Sequence, residues 1–211
     1  MKEVYNLSKT IILQGAKITD RIAHDPNTFV DETSTYAAVV GTLDETGRFI
    51  ALESRYKPQV GDAVVGVVTD TKHAGYDIEI GMPHEAFLSS REIRIKLQLG
   101  EFVVCRVRMV DEVGEVELNE VRRLPMGKLV SFPPAKIPRL IGKKSSMLLL
   151  IKEQTGGDIV VGNNGLIWIS SKSDIPLVLK AMNLIERKAH FSGLTDEVSA
   201  MLNVSKSQEG E

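Results

Sequence analysis

The 211-residue chain has one cysteine, Cys105, and one tryptophan, Trp168. A lone cysteine excludes an internal disulfide and any zinc site built on a cysteine cluster. Long apolar runs are missing too. Met147 to Ile151 is among the longest, far short of the ~20 residues a membrane-spanning helix needs. The first residues, Met1 to Asn6, lack the apolar stretch of a secretory signal. A cytoplasmic protein with no membrane partner is the expectation. Aromatic residues make up only 5% of the chain, so each one carries information. With 43% apolar and 26% charged residues, the composition excludes a disordered or collagenous chain and supplies enough apolar mass for a core.

No single charge sign dominates, since the net charge is −2. The distribution is uneven. Residues 1–57, 58–125, 126–190 and 191–211 carry net charges of −1, −4, +6 and −3. A near-neutral chain therefore contains one basic module, and a basic module attracts phosphate.

Residues 1–57 read as strands and turns, with no amphipathic helix. Thr10 to Leu13 reads as a strand. Thr35 to Leu43 reads as one β-rich run, turned by Asp44 to Gly47 and returning along Arg48 to Leu52. Residues 58–125 hold a second set of short strands. Ala63 to Val68 is apolar throughout. Tyr76 to Ile80 alternates, with Tyr76, Ile78 and Ile80 on one face and Asp77 and Glu79 toward solvent. Phe102 to Val110 alternates as well. Val103, Cys105, Val107 and Met109 share one face; Phe102, Val104, Arg106 and Arg108 share the other. Val113 to Leu118 closes the set, which suits a small barrel.

Residues 126–204 change character. After a turn at Met126-Gly127, Lys128 to Phe132 reads as a strand. Ile137 to Gly142 leads into a helix over Ser145 to Gln154, ended by Thr155-Gly156-Gly157. Two strands, Asp158 to Val161 and Leu166 to Ile169, flank Gly162-Asn163-Asn164-Gly165, and Asn-Gly is a strong hairpin signal. Ser173 or Asp174 caps a long helix whose Ile175, Val178, Met182, Ile185 and Ala189 share a face. Thr195 to Val204 reads as a last short helix, and 205–211 as a flexible tail.

Enzyme signatures fail. Gly142-Lys143-Lys144-Ser145 is not a phosphate-binding P-loop, because Ile137 stands at the first glycine position and Lys144 separates lysine from hydroxyl. His84-Glu85 is not a zinc-protease motif, because Leu88 occupies the second histidine position. His73, Asp77, Glu79 and His84 are near in sequence, but spacing alone builds no metal site. No catalytic residue, metal or cofactor is expected.

Nucleic-acid signatures fare better. Gln59 to Val68 resembles the first strand of an S1-type RNA-binding domain, a five-stranded OB barrel. Leu99-Gly100-Glu101 followed by Phe102 to Val107 fits the start of a later strand of that family, and Gly75 to Ile78 its aromatic-bearing strand. OB barrels stack bases on exposed aromatics beside a basic groove. The candidate contacts are Lys72, His73, Tyr76, Arg106 and Arg108. Phe87 is a further aromatic with an equally good claim to the core. Arg91, Arg94 and Lys96 form a local basic cluster.

The order strand, glycine loop, helix, two strands, helix in the third segment resembles a KH domain. Ile141-Gly142-Lys143-Lys144-Ser145 stands where that family has its Gly-x-x-Gly loop, which clamps a nucleic-acid backbone. Gly142, Lys143 and Lys144 are therefore candidate RNA contacts. The fourth position is Ser145 rather than glycine, and its Cβ limits close approach.

The chain as a whole is mostly β with a C-terminal α+β module: a small N-terminal β domain, an S1-type barrel and a KH domain. That order resembles the RNA-binding cap subunit of the archaeal exosome. Gly162-Asn163-Asn164-Gly165 and Trp168 match a Gly-x-Asn-Gly signature of its KH domain; Gly162, Asn164, Gly165 and Trp168 are expected to be structural. The resemblance implies a non-catalytic subunit. Three copies would sit on a hexameric ring of RNase PH-like subunits, docked through residues 1–57. They would capture single-stranded RNA, favour A-rich substrates and guide the 3′ end into the pore for 3′-to-5′ degradation. A stand-alone RNA-binding protein is one alternative, and a metal-dependent hydrolase using His73 and His84 another.

Overall fold

The structure, a computed structural model, describes residues 11–23, 27–43, 47, 49–51, 55–91, 93–189, 191 and 193–208; beyond 203 only the backbone is described. The chain forms two compact units, 1–55 and 56–211.

Among its described residues the first unit holds six short strands: β1 Ile11–Ile12, β2 Lys17–Thr19, β3 Thr28–Asp31, β4 Ser34–Ala37, β5 Gly41–Leu43 and β6 Phe49–Ala51. They make two antiparallel sheets, in the orders β1-β5-β6 and β2-β4-β3. The continuous run expected over Thr35 to Leu43 is thus broken. β4 ends at Ala37; Ala38 N–H still donates to Asn27 O beside β3 at 2.9 Å, and Gly41 then starts β5 in the other sheet. Inside the β2-β4-β3 half, the buried Thr35 hydroxyl donates to Arg21 O at 2.6 Å. Most of the turn expected at Asp44 to Gly47 lies outside the described residues.

The second unit opens with a closed barrel. Its strands are β7 Ala63–Thr71, β8 Gly75–Glu79, β9 Ala86–Ser89, β10 Phe102–Val110 and β11 Val116–Arg123, ordered β10-β11-β9-β8-β7. Only β9 and β11 pair in parallel. Val64, Val68, Ile78, Leu88, Val103, Cys105, Val107 and Leu118 fill it. The alternation of β10 holds as far as Val107. A register shift between Val107 and Met109 then turns Met109 outward, so it is 51% exposed rather than part of the inner face.

A strand–helix–helix–strand–strand–helix module follows: β12 Gly127–Ser131, α1 Ile137–Ile141, α2 Ser146–Thr155, β13 Ile159–Val161, β14 Leu166–Ser170 and α3 Ile175–Lys188. The last helix is α4, Leu194–Gln208, so the backbone stays helical through the first residues of the expected tail. The sheet order is β12-β14-β13. One sheet face packs on the helices through Ile159, Ile167 and Ile169, against Ile151, Val178 and Ile185. Asp174 caps α3, accepting from Leu177 N–H at 3.0 Å, with Pro176 in its first turn.

The other face of this sheet meets the barrel. Leu129, Val160, Leu166 and Trp168 pack with Val65, Phe102, Val104 and Leu124. Half of the outer face of β10 is therefore covered rather than solvated. Its two apolar members, Phe102 and Val104, are the reason.

Candidate nucleic-acid interface

The Gly142 loop is built by its backbone. Gly142 ends α1, its N–H donating to Pro138 O at 2.9 Å with φ +74°. A Cβ there would lie 2.8 Å from Met147 N and Cβ, so only glycine fits. Lys143 to Ser145 form one 3-10 turn, in which Lys144 (φ 52°) and Ser145 (φ 64°) are left-handed. Ser145 thus holds a conformation that glycine adopts without strain. The turn lifts Lys143 and Lys144 into solvent, and among the described residues neither has a carboxylate partner.

The barrel cations are placed differently. Lys72 is paired with the nearly buried Asp77, which raises the lysine's pKa. Asp77 is thus a buried ion-pair partner rather than a solvent-face residue. Arg106 Nε lies 2.9 Å from Glu120 Oε2, and its Nη1 donates to Gly61 O at 3.0 Å. Arg108 Nη1 lies 3.3 Å from Glu117 Oε1. His73 is exposed in the β7–β8 turn. Tyr76 is corrected outright as a stacking platform. Its ring is 9% exposed and faces the core, and its hydroxyl accepts from Leu97 N–H at 3.3 Å.

The ring on the outer surface is Phe87. It sits in a row across the barrel, Asp77–Phe87–Glu117–Met109, set by the strand registers. The groove over this row, about 550 Å³, is also lined by Lys72, His84 and the carboxylates of Glu85, Asp111 and Glu115. Sequence alternation contained this signal, because Phe87 lies between the inward Ala86 and Leu88. Among the described residues, no group of three or more His, Cys, Asp or Glu converges on a metal position. Arg91, Arg94 and Lys96 are exposed in the β9–β10 connection.

Gly162 to Gly165 joins β13 to β14, with Gly165 N–H donating to Gly162 O at 3.1 Å. Neither Asn163 nor Asn164 has positive φ; Gly165 does (φ +82°). Asn-Gly is therefore not the two-residue core of a type I′ turn, because the turn is centred one residue earlier. That shift aims both asparagines at the barrel. The buried Asn164 amide accepts from Val65 N–H at 3.2 Å and donates to Val65 O at 2.7 Å and Ile80 O at 2.8 Å. The β7–β8 ladder runs between Val67 and Thr71 on β7, so the carboxamide takes the place of a strand neighbour at Val65. Asn163 N–H donates to Ala63 O at 2.7 Å, and its side chain donates to Asp62 Oδ1 at 2.7 Å. Asp62 Oδ2 in turn accepts from the Tyr56 hydroxyl at 2.8 Å; burial, together with this bond, raises the tyrosine's pKa. A Cβ on Gly162 would lie 2.1 Å from Asn164 Oδ1, and one on Gly165 2.4 Å from Phe132 O. Trp168 is buried in the same junction.

A closed five-stranded barrel joined through its outer face to a β-α-α-β-β-α module with a glycine–lysine loop defines the S1–KH class. Two family models agree: that for the S1 domain of exosome complex component RRP40 matches residues 56–128, and that for a KH domain matches 127–175. Exosome complex component Rrp4 of Thermococcus kodakarensis is 32% identical over 96% of this chain and 88% of its own length. That of Methanothermus fervidus is 33% identical over 92% and 95%. A crystal structure described as an exosome complex RNA-binding protein superposes with a TM-score of 0.64 at 26% identity, over 74% of this chain and 99% of that one. The chain belongs to the Rrp4 family of exosome complex components.

Proposed function

We propose that the protein is a non-catalytic RNA-binding subunit of the exosome that caps an RNase PH-like hexameric ring. Three copies capture single-stranded RNA, favour A-rich stretches and lead the 3′ end to the pore for 3′-to-5′ degradation by the ring. The observation that carries RNA binding is the Gly142–Ser145 turn. It presents Lys143 and Lys144 to solvent with no carboxylate partner among the described residues, in the +6 segment of the chain. The barrel contributes less, since Lys72, Arg106 and Arg108 give up ion-pair partners before they meet phosphate. His73 and the Arg91, Arg94 and Lys96 cluster are the remaining barrel contacts. Weak contacts suffice in a threefold assembly, because linked sites raise the effective concentration. The cap subunit contributes binding and orientation, and the ring breaks the bond.

The test is a filter-binding titration against salt. Replacing Lys143 and Lys144 together by Glu removes two phosphate contacts. The log–log salt slope should fall by about 1.4 on a single strand. An unchanged slope removes the loop from RNA binding. Affinity purification from the native host tests the assembly: phosphate-dependent RNA shortening should co-purify with ring subunits and be absent from the isolated chain.

A further inference from the structure

The Gly142 loop borders a cleft that the matched KH region supplies only in part. Its volume is about 250 Å³, and its walls include Arg139 of α1, Lys143 of the loop, Ser146 of α2, Phe191 of the α3–α4 connection and Thr195 of α4. The matched KH region ends at residue 175, so Phe191 and Thr195 come from outside it. Buried Met147 and Leu194 form an apolar floor. Phe191, 45% exposed, is the only aromatic residue among the described residues of the lining. Among the described residues, no carboxylate lines the cleft. Nearby, Asp196 and Glu197 lie in the first turn of α4, and Glu197 is held by Lys188.

A small cleft whose described walls carry an exposed aromatic residue, two cations and no acid has the chemistry of one nucleotide. The volume is below the ~300 Å³ lower bound for drug-sized ligands, which matches a single unit rather than a run of bases. An aromatic ring stacks any base, whereas Arg and Lys hold the adjoining phosphate. We propose that this cleft is a nucleotide subsite for single-stranded RNA. Phe191 stacks one base, and Arg139 and Lys143 hold its phosphate. The proposal rests on the RNA-binding reading above and adds contacts that the loop motif does not contain.

The experiment uses the full chain, a single-stranded oligonucleotide and three variants. Phe191→Leu keeps an apolar side chain on the floor but removes the ring; Phe191→Tyr keeps the ring. Loss of one stacked base weakens binding roughly 5- to 150-fold. The expected result is that loss for Phe191→Leu with an unchanged salt slope, near-wild-type affinity for Phe191→Tyr, and a slope lowered by about 0.7 for Arg139→Gln. Unchanged fluorescence of Trp168 confirms that each variant is folded. Wild-type affinity for Phe191→Leu overturns the subsite. If the Lys143→Glu, Lys144→Glu chain still shows its lowered slope, the RNA-binding reading survives that result. Saturable competition by free AMP, with no dependence of affinity on oligonucleotide length, also overturns it, in favour of a free-nucleotide site.

Discussion

The junction between barrel and KH module turns on one side chain, Asn164. Replacing it by Ala deletes three hydrogen bonds, to Val65 N, Val65 O and Ile80 O. Each is worth about 0.5–1.5 kcal/mol net, and an orphaned buried donor such as Val65 N–H costs about 1–3 kcal/mol more. The expected loss is about 3–5 kcal/mol. No water replaces the amide cheaply, because the surroundings include Trp168, Val65 and Leu124, all nearly inaccessible. Asn164→Asp separates shape from hydrogen bonding. It keeps the outline but points an oxygen at two carbonyl oxygens, so at neutral pH it should be at least as damaging as Ala. Protonation restores one donor, so part of the loss should return in acid. The assay is denaturant unfolding followed by fluorescence of the only tryptophan, Trp168, which lies in the same junction, and in parallel by circular dichroism. A loss under about 1 kcal/mol for Asn164→Ala, or an Asp variant as stable as wild type at pH 7, refutes the role assigned to the amide.

Three further outcomes follow from the geometry. Ser145→Gly relieves a left-handed conformation that costs an L-residue about 1–2 kcal/mol, against a smaller gain of unfolded-chain entropy. The melting temperature should rise by a few degrees with RNA affinity kept or improved, and a drop refutes the strain. Burial pushes the Cys105 thiol up to about 12. It should resist Ellman's reagent at pH 8 until the chain unfolds. Because the folded thiol holds its proton above the unfolded value near 9, that contribution to stability fades as pH rises from about 9 toward 12. Prompt labelling of the native chain refutes the burial. Gly127→Ala would set a Cβ 2.4 Å from Trp168 Nε1 and Ile169 O, so it should cost about 1–3 kcal/mol in the same unfolding assay.

Period-two alternation made the barrel legible, and glycine and proline punctuation made the KH order legible. What escaped had physical causes. Tyr76 shares the inner parity of Ile78 and Ile80, so its own alternation already placed it in the core; family resemblance to an aromatic-bearing strand pulled it the other way. Met109 escaped because a bulge adds a residue that no pattern of side-chain types announces. The helix α1 escaped because Pro138 in its first turn and Gly142 at its end leave only five residues, less than a recognisable period. Asn164 was expected to be structural from a hairpin signal, but its partners lie 84 and 99 residues away, beyond any local pattern. Phe102 and Val104 carry their signal in size and parity. Two large apolar residues on the outer face of a barrel strand need a covering layer, and the KH sheet supplies it.

The distribution of ion pairs separates the two modules more sharply than net charge does. In the barrel, Lys72, Arg106, Arg108 and Arg123 each meet a carboxylate, from Asp77, Glu120, Glu117 and Glu101. The three arginine pairs, being largely exposed, add little stability. Their larger consequence is to lower the potential that a phosphate chain meets on this face. Around the Gly142 loop, Arg139, Lys143 and Lys144 have no such partners among the described residues. On the proposed role, a salt titration of the wild-type chain should therefore count mainly KH-side phosphates. The junction at Asn164 then has a mechanical meaning: it holds the Gly142 loop in a fixed position on the barrel, so that on the proposed role an RNA strand gripped at the loop leaves it in a defined direction.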